Sequence, residues 1–387
     1  MQRLFAFLLL LVVLLLASSR WILDIADGAL NRVTQSPAAV PPDVQAFHDS
    51  LWIADFHNDA LLWNRDLRDG SARGALDIPR MRAGGFELAV FSATTRHYVA
   101  SNYTRTPPVG DVMALAAFAQ RWPRASWLDP FPRALVLARE LRRTAQSSSG
   151  RLRMVETHDD LETLLRDQAH GDDVIGAVLL LEGLHAADGR IARIDSLFAA
   201  GYRVFGLTHM FDNDVAGASS GWRKRGLTPF GRRAVARIDS LGGIIDLAHA
   251  SRATIDEVLA LTTRPVVVSH TGITSACAGP RNIPDDVVAA IGERGGIVAI
   301  GFWKAAVCAG DARGIARSIH RAIAVAGVDH VALGSDFDGA TAVPFDAAHM
   351  ATLTAALLDE GLTRNQVRAV MGENEKRFLL EILPRER

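Results

Sequence analysis

The 387-residue sequence contains very little cysteine, with Cys277 and Cys308 as the only two. Two cysteines are too few for a scaffold built on disulfides and too few for a zinc site made of cysteine ligands. In an exported protein the pair is able to form one disulfide, whereas the alternative is two reduced, buried thiols. The residues alone leave both states open.

An excess of charge of one sign is missing as well. Lysine and arginine together number 42, aspartate and glutamate 43, and the formal net charge is −1. Nucleic acid is therefore not an expected partner, and basic clusters such as Arg223-Lys224-Arg225 and Arg142-Arg143 are interpreted as solvated faces. Apolar residues make up 49% of the chain and charged residues 22%, which excludes a disordered protein and predicts a large folded core.

The chain has a single long apolar run, from Leu4 to Ala17, which follows Arg3. This run suits the core of a secretory signal better than a full membrane span, which needs about 20 residues. Ala17-Ser18-Ser19 offers small residues for cleavage, but Trp21-Ile22-Leu23 follows and leaves an uncleaved membrane anchor as the alternative. We therefore predict a signal peptide or anchor over residues 1–23 and an exported protein, periplasmic or otherwise outside the cytoplasm.

Residues 24–43 contain Pro37, Pro41 and Pro42 and are predicted to form a linker, followed by one domain over residues 44–387. In this domain, short apolar runs alternate with longer amphipathic segments. The eight runs are Leu51–Phe56, Phe86–Phe91, Val174–Leu181, Arg203–Leu207, Gly243–Leu247, Pro265–Val268, Gly296–Gly301 and His330–Leu333.

Several of these runs are apolar at consecutive positions, as parallel strands covered on both faces are. Helical patterns lie between them, for example Arg252–Leu261 after the N-cap candidate Ser251. Eight strand–helix units predict the α/β class and a single (β/α)8 barrel, the TIM barrel. An insertion over Ala93–Thr157, after the second strand, either covers the mouth of the barrel or forms a peripheral helix pair.

Metal-capable side chains fall repeatedly at the ends of the predicted strands. Strand ends in a TIM barrel point into its mouth, where barrel enzymes place their chemistry, so these side chains are expected to meet there. They are His57, Asp59, Glu182, His209, His249, His270, Asp336 and Asp338.

Burying such charged groups at the ends of apolar strands is costly unless they are paired. A divalent cation removes that cost, and a set of imidazoles and carboxylates suits zinc. The size of the set fits two Zn²⁺ ions that share a carboxylate, and such a pair lowers the pKa of a shared water towards neutrality. Asp338 is the weaker member, because with Gly339 it fits the shaping of a turn.

The remaining histidines are interpreted as structural, because none of them combines a strand end with a ligand-bearing neighbour. They are His48, His97, His158, His170, His320, His330 and His349. His185 lies three residues after Glu182 and is expected to support the ligands rather than to be one.

The chain resembles the membrane dipeptidases, the renal dipeptidase family, which are a branch of the amidohydrolase-like barrels. The resemblance runs from about Trp52 to Phe378. The segments that carry it are His57-Asn58-Asp59, Glu182-Gly183-Leu184-His185, Leu207-Thr208-His209, the stretch 245–251, Ser269-His270, the stretch 277–286, Gly334-Ser335-Asp336-Phe337-Asp338-Gly339 and Met371-Gly372-Glu373-Asn374.

This resemblance implies a ligand set for two zinc ions. His57 and Asp59 are similar to the ligands of one ion and His249 and His270 to those of the other, with Glu182 bridging both. It also implies that Cys277 and Cys308 form a disulfide, as in some secreted members, and it suggests a homodimer.

The resemblance further implies how a substrate is bound. His209 would lie near the scissile carbonyl and Arg281 would hold a free C-terminal carboxylate, for which a guanidinium fork is well shaped. Asp336 resembles the residue that binds substrate and passes a proton to the leaving amine. The substrates implied are dipeptides, including dipeptides with a C-terminal D-residue.

Two alternatives stay open at this point. The same metals would support hydrolysis of a cyclic amide, a lactone or an N-acyl amino acid, although the segment His57-Asn58-Asp59 and Arg281 argue against this. An inactive barrel that serves as a binding protein is the second alternative, and the presence of every expected ligand argues against it. Gly301-Phe302-Trp303 stands where animal members carry a tyrosine-containing sequence, so the side-chain pocket is expected to differ from theirs.

Overall fold

The computed structural model describes residues 21–36 and 39–385. The predicted leader falls mostly on residues 1–20, which lie outside this range, so its cleavage stays a prediction. Within the described part of the chain, no helix has the length and apolar character needed to cross a membrane.

Nine parallel strands form one sheet, and eight of them follow each other around a barrel in chain order. The strands are β1 (Ile53–Asn58), β2 (Phe86–Thr94), β3 (Leu152–Met154), β4 (Ile175–Glu182), β5 (Tyr202–Gly206), β6 (Ile244–Asp246), β7 (Val267–Thr271), β8 (Ile297–Ile300) and β9 (Val331–Leu333). The barrel closes where β1 meets the segment after β9: the amide of Asp59 donates to the carbonyl of Phe337 (2.8 Å) and that of Asp336 to His57 (3.1 Å). The predicted (β/α)8 barrel is confirmed.

Helices connect the strands and cover the outside of the barrel. Ser251 caps one of them as predicted, because its hydroxyl accepts a hydrogen bond from the amide of Thr254 (3.1 Å). The α-helical segments are residues 21–30, Pro42–His48, Ile78–Ala83, Val112–Ala119, Pro130–Ser147, His158–Ala169, Ile191–Ala199, Pro229–Leu241, Arg252–Leu261, Asp285–Glu293, Lys304–Val307, Ala312–Ala326, Ala351–Asp359, Arg364–Arg368 and Asn374–Ile382.

The barrel strands bury both faces, which explains their consecutive apolar residues. In β4, Val178 and Leu180 pack in a cluster with Phe378 of the C-terminal helix. Leu179 and Leu181 alternate with them and pack in a second cluster that includes residues of the surrounding helices. The two clusters hold the strands rigidly, so the side chains at the strand ends have fixed positions.

The segment predicted as a linker differs in part from that prediction. Residues 21–30 are helical, and Asp27 is buried against the barrel, where its carboxylate lies 3.1 Å from Nε of Arg65. Asn31 donates a hydrogen bond to Asp27 (2.8 Å). The start of the segment is therefore an arm packed on the barrel, because these polar groups find partners there.

The insertion over Ala93–Thr157 serves two purposes. Its helix Pro130–Ser147 packs against the barrel, and the short strand β3 pairs with β4 outside the barrel path. Its helix Val112–Ala119 lies at the mouth, where Val112 and Met113 line a cavity. The part with Val112–Ala119 therefore covers the mouth, as one interpretation predicted. The part with Pro130–Ser147 forms a peripheral layer, as the other predicted.

One buried acid at the base of the C-terminal helix predicts a pH-dependent stability. Glu375 is fully buried, and its carboxylate oxygens have no hydrogen-bond partner among the described residues. Burial, reinforced by the nearby carboxylate of Asp55, raises the pKa of Glu375 well above its ordinary value. The folded state thus binds a proton that the unfolded state releases, so stability is greatest below the unfolded pKa and is lost as pH rises towards the folded pKa.

Glu375→Gln should therefore stabilise the protein at about pH 8 and have little effect at about pH 5. We expect a rise in Tm of about 2 °C or more at the higher pH, the shift that roughly 1 kcal/mol produces in a large domain. Thermal unfolding at both pH values measures it, with the exposed Glu381→Gln on the same helix as control. An equal shift at both pH values would contradict the assignment.

Candidate active site

The predicted ligands meet at one end of the barrel. His57 lies in β1, Glu182 ends β4 and His270 lies in β7. His209 and His249 each come three residues after a strand, β5 and β6, and Asp336 comes three residues after β9. Asp59 follows β1 directly, and all seven side chains are buried.

Glu182 lies at the centre of the histidines. Its Oε1 lies 3.0 Å from Nε2 of His249, 3.6 Å from Nε2 of His270 and 3.9 Å from Nε2 of His57. Its Oε2 lies 3.6 Å from Nε2 of His209. One carboxylate therefore contacts four imidazoles, which is the arrangement expected of a bridging ligand.

A second group of donors adjoins the first through His57. Nε2 of His57 lies 3.6 Å from Oδ2 of Asp59 and 4.0 Å from Oδ1 of Asp336. Donor atoms of His57, Asp59 and Asp336 all lie within 4.8 Å of one another, as do those of Glu182, His209 and His249. His57, Glu182 and His270 form a third such group, which connects the carboxylate-rich group to the imidazole-rich one.

These donors fit divalent cations. Nε2 of His57 is buried without a hydrogen-bond partner among the described residues, and Nε2 of His249 lies only 2.9 Å from Nε2 of His270. Burial lowers the pKa of His249 and His270 well below the ordinary value, which keeps both imidazoles neutral. Two imidazole nitrogens that face each other beside a buried carboxylate are a set of ligand atoms that suits a divalent cation.

The surroundings of His57 also favour a positive charge. Burial opposes its protonation, but the carboxylates of Asp59, Glu182 and Asp336 outweigh burial and raise its pKa to about 10. Burial, together with the charges of Asp59 and Glu182, raises the pKa of Asp336. The carboxylates thus repel each other and draw a cation to this position.

A buried serine fixes the tautomers of two imidazoles. Ser269 Oγ donates to Oδ2 of Asp246 (2.7 Å) and contacts Nδ1 of His57 (3.2 Å) and Nδ1 of His270 (3.0 Å). Because the single hydroxyl hydrogen goes to Asp246, both imidazoles donate through Nδ1. Nε2 of each imidazole then faces the site, where its deprotonated form would offer a lone pair to a metal ion.

Sequence reasoning missed a hydroxyl in the centre of the site. Thr94, the last residue of β2, donates its hydroxyl hydrogen to Oε2 of Glu182, and its Oγ1 also lies 3.3 Å from Oδ1 of Asp59. It joins a carboxylate of each donor group. The sequence pattern could have indicated Thr94 as a site residue, since Thr94 ends β2 as Glu182 ends β4.

The backbone at three positions in the site has special geometry. His249 has φ 61° and Asp336 φ 58°, values that residues with a Cβ rarely adopt. Gly183 follows Glu182 with φ 97°, and an added Cβ would approach the His185 ring to 2.5 Å. Such conformations cluster at functional sites, where packing holds them against their cost.

A cavity of about 690 Å³ opens onto the donors and includes Arg281. The Arg281 side chain is buried, with 3% of the residue exposed, and its Nη2 donates to the carbonyl of His270 (2.9 Å). Its Nε has no hydrogen-bond partner within residues 21–36 and 39–385. A buried cation with a free N–H beside a cavity is suited to an anionic group of a ligand.

Two further residues from the insertion line this cavity. His97 lies with its ring centroid 5.4 Å from that of His209, and burial, together with the charge of His209, lowers its pKa to about 4. Tyr103 lines the same cavity, and burial and the charge of Asp336 raise its pKa. His97 was interpreted as structural, and it lies beside the cavity because the insertion folds back over the mouth.

The predicted disulfide is present between Cys277 and Cys308, with Cα atoms 5.3 Å apart. It links the loop after β7, which carries Arg281, to the loop after β8. Asn282 reinforces the link by donating to the carbonyls of Cys277 (2.7 Å) and Ala306 (2.9 Å). The disulfide therefore helps to hold Arg281 in place.

The structural interpretation of Asp338 agrees with its contacts. Its carboxylate accepts hydrogen bonds from the amides of Ala75 (2.7 Å) and Leu76 (3.3 Å) and lies 2.7 Å from Nη2 of Arg65. His185 also lies away from the central donors, with Nε2 2.8 Å from the hydroxyl of Thr95. Both residues support the loops at the mouth.

A closed parallel barrel with buried imidazoles and carboxylates at its mouth defines the protein as a metal-dependent hydrolase of the TIM-barrel type. The membrane dipeptidase family, peptidase family M19, matches residues 43–383, and the chain belongs to this family.

Individual relatives agree with this assignment. An uncharacterized dipeptidase of Schizosaccharomyces pombe, C965.12, is 32% identical over 236 residues, which cover 58% of this chain and 56% of that protein. The crystal structure of dipeptidase AC, a family M19 metallopeptidase, has 26% identity and a TM-score of 0.72, with 87% of this chain and 99% of that chain covered. A Rhodobacter sphaeroides metallopeptidase with a phosphinate mimic of the dipeptide L-Ala-D-Ala has 25% identity and a TM-score of 0.69, with coverage of 86% and 99%.

Proposed function

We propose that this protein is a binuclear zinc dipeptidase that hydrolyses dipeptides with a free C-terminal carboxylate and tolerates a D-residue at that end. The observation that carries the proposal is the position of Arg281, a buried guanidinium with an unsatisfied N–H that lines the same cavity as the buried donors. A metal centre alone would serve many hydrolases, whereas a buried arginine beside it selects substrates with an anionic end.

His57 and Asp59 would hold one zinc ion and His249 and His270 the other, with Glu182 shared between them. The contacts of Glu182 with imidazoles of both groups support this division. When bound, two such ions activate water and polarise a carbonyl. Ser269 and Asp246 orient the ligand imidazoles, which the metals by themselves would not do.

Asp336 is proposed to carry a proton to the leaving amine. Burial and its anionic neighbours favour its protonated form, as a general acid requires, and it lines the cavity. His209 lies on the opposite side of Glu182 and donates through Nδ1 to the carbonyl of Arg96 (3.2 Å). Its Nε2 therefore faces the donors, 3.6 Å from Oε2 of Glu182, where an imidazole with hydrogen on both nitrogens would donate to the oxygen of the scissile carbonyl.

The tolerance of a C-terminal D-residue is supported by the Rhodobacter sphaeroides relative, whose ligand mimics L-Ala-D-Ala. The cavity of this chain has a volume of about 690 Å³ and is lined by Arg281, and we propose that it accepts a C-terminal side chain of either configuration. We further propose that the predicted leader exports the enzyme, so that it acts outside the cytoplasm. A homodimer remains a proposal from the family resemblance.

The purified protein tests the proposal by metal analysis and a small substrate panel. We expect two equivalents of zinc and hydrolysis of Ala-L-Ala and Ala-D-Ala, without hydrolysis of N-acetylalanine or a cyclic dipeptide. Zinc without hydrolysis of either dipeptide would refute the substrate, and cleavage of the cyclic or acylated compounds instead would assign another amidohydrolase reaction. One equivalent of zinc in a fully active protein would refute the binuclear centre.

A further inference from the structure

Exposed apolar side chains are concentrated at the mouth end of the barrel. Of the thirteen large apolar residues that are exposed within the described part of the chain, eleven lie in residues 21–33 or 99–128. Residues of both segments line the same cavity, so the segments adjoin each other at its entrance. A cluster of exposed apolar side chains of this kind marks a candidate binding surface.

The helix of residues 21–30 pairs its acidic side chains with the barrel and leaves large apolar side chains exposed. Asp24 and Asp27 face the barrel, where they pair with Arg73 (2.9 Å) and Arg65 (3.1 Å). Trp21, Ile22 and Ile25 are exposed, Trp21 by 66%. The helix thus has partners for its acidic residues but leaves three large apolar ones uncovered, which favours an apolar environment outside.

The insertion adds a second apolar element that carries basic residues. Leu115 and Phe118 on the helix Val112–Ala119 are exposed, and Leu128 is exposed by 85%. Residues 95–139 contain six arginines and two aspartates, of which Arg121 and Arg124 are exposed between the apolar residues. Both aspartates are paired with arginines, so the exposed charge of this surface is positive.

We propose that this mouth surface, formed by Trp21, Ile22, Ile25, Leu115, Phe118 and Leu128, docks on a phospholipid bilayer with anionic headgroups. Exposed apolar residues with interspersed arginines are typical of membrane-surface elements, and tryptophan favours the interface. The sequence before Trp21 supports this occupant over a second copy of the chain. Only three residues separate the apolar run Leu4–Ala17 from Trp21, so a leader held in a bilayer would keep this helix at its surface.

Docking through this surface orients the protein so that the entrance of the cavity faces the lipid. It is tested with the full chain on vesicles of phosphatidylcholine and phosphatidylglycerol, using an environment-sensitive fluorophore on Leu115→Cys. The matched control is Leu261→Cys, since Leu261 is the same residue type, is 44% exposed and lies outside both mouth segments. Both native cysteines are in the disulfide, so the label goes to the introduced thiol.

Docking predicts a blue shift of the label at residue 115 and quenching by nitroxide-labelled lipid, with neither change at residue 261. Equal signals at both positions would overturn the proposal, because the leader alone would then tether a freely rotating barrel. A blue shift at residue 115 without vesicles, growing with protein concentration, would also overturn it and assign the surface to a second copy. Arg121→Glu with Arg124→Glu should reduce quenching on anionic vesicles, and an unchanged signal would refute the role of anionic headgroups.

Discussion

Glu182→Gln is expected to lower dipeptide hydrolysis by more than about a hundredfold and to remove most of the bound zinc. Loss of a group that only supports a metal ligand costs roughly 10–100-fold in affinity or activity, and Glu182 contacts the imidazoles directly. The substitution keeps the shape of the side chain and removes its negative charge. The buried imidazoles then lose the anion that makes a cation favourable among them.

The chain offers a matched control for this substitution on its surface. His158, Asp159 and Glu162 form another group of metal-capable side chains with donor atoms within 4.8 Å, but Asp159 and Glu162 are exposed. Glu162→Gln should therefore leave both zinc content and turnover unchanged. Zinc content by elemental analysis and initial rates with Ala-D-Ala measure both variants, and full zinc occupancy in active Glu182→Gln protein would refute the shared-ligand role.

His249→Ala separates the two donor groups. It removes a ligand proposed for one ion only, since His249 lies with Glu182, His209 and His270, whereas Asp59 and Asp336 lie with His57. We expect turnover to be abolished with about one zinc equivalent retained, in contrast to the larger loss in Glu182→Gln. Identical zinc contents in the two variants would argue against a division into two sites.

The barrel was predictable because most of its strands are recognisable in the sequence as short apolar runs. Runs such as Val174–Leu181 are apolar at every position, and the structure places β4 within that run with one further residue, Glu182. Strand β3 was not predictable in the same way, because Leu152–Met154 has three residues with an arginine in the middle. It forms only because the edge of β4 offers partners, which a local pattern does not show.

The site was predictable to the extent that it depends on strand ends. His57, Glu182 and His270 are positioned by the barrel, so the topology alone brings them together. The position of His97 could not be predicted, because it belongs to an insertion whose path over the mouth depends on tertiary contacts. The buried Arg133 is one such contact: it bonds to the carbonyl of Thr95 (2.8 Å) and to Asp111 (2.6 Å) and draws the insertion back onto the barrel.

Arg281→Ala is expected to raise the KM for dipeptides with little change in zinc content. A hydrogen bond to a charged group is worth about 1.5–3 kcal/mol. Its loss corresponds to a fall in kcat/KM of roughly tenfold to 150-fold. The exposed Arg252→Ala is the matched control, because Arg252 pairs with Asp256 on its own helix and lies outside the cavity lining.

A change of substrate tests the contact itself rather than the residue. Ala-D-Ala amide lacks the carboxylate that Arg281 is proposed to bind, so wild-type enzyme should prefer the free acid strongly. In Arg281→Ala the free acid and the amide should be hydrolysed at similar rates, because the contact that distinguishes them is gone. Arg281→Lys keeps the charge without the planar fork and should restore part of the preference. If the variant without Arg281 still preferred the free acid as strongly as wild type, another group would hold the carboxylate and the dipeptidase assignment would lose its main support.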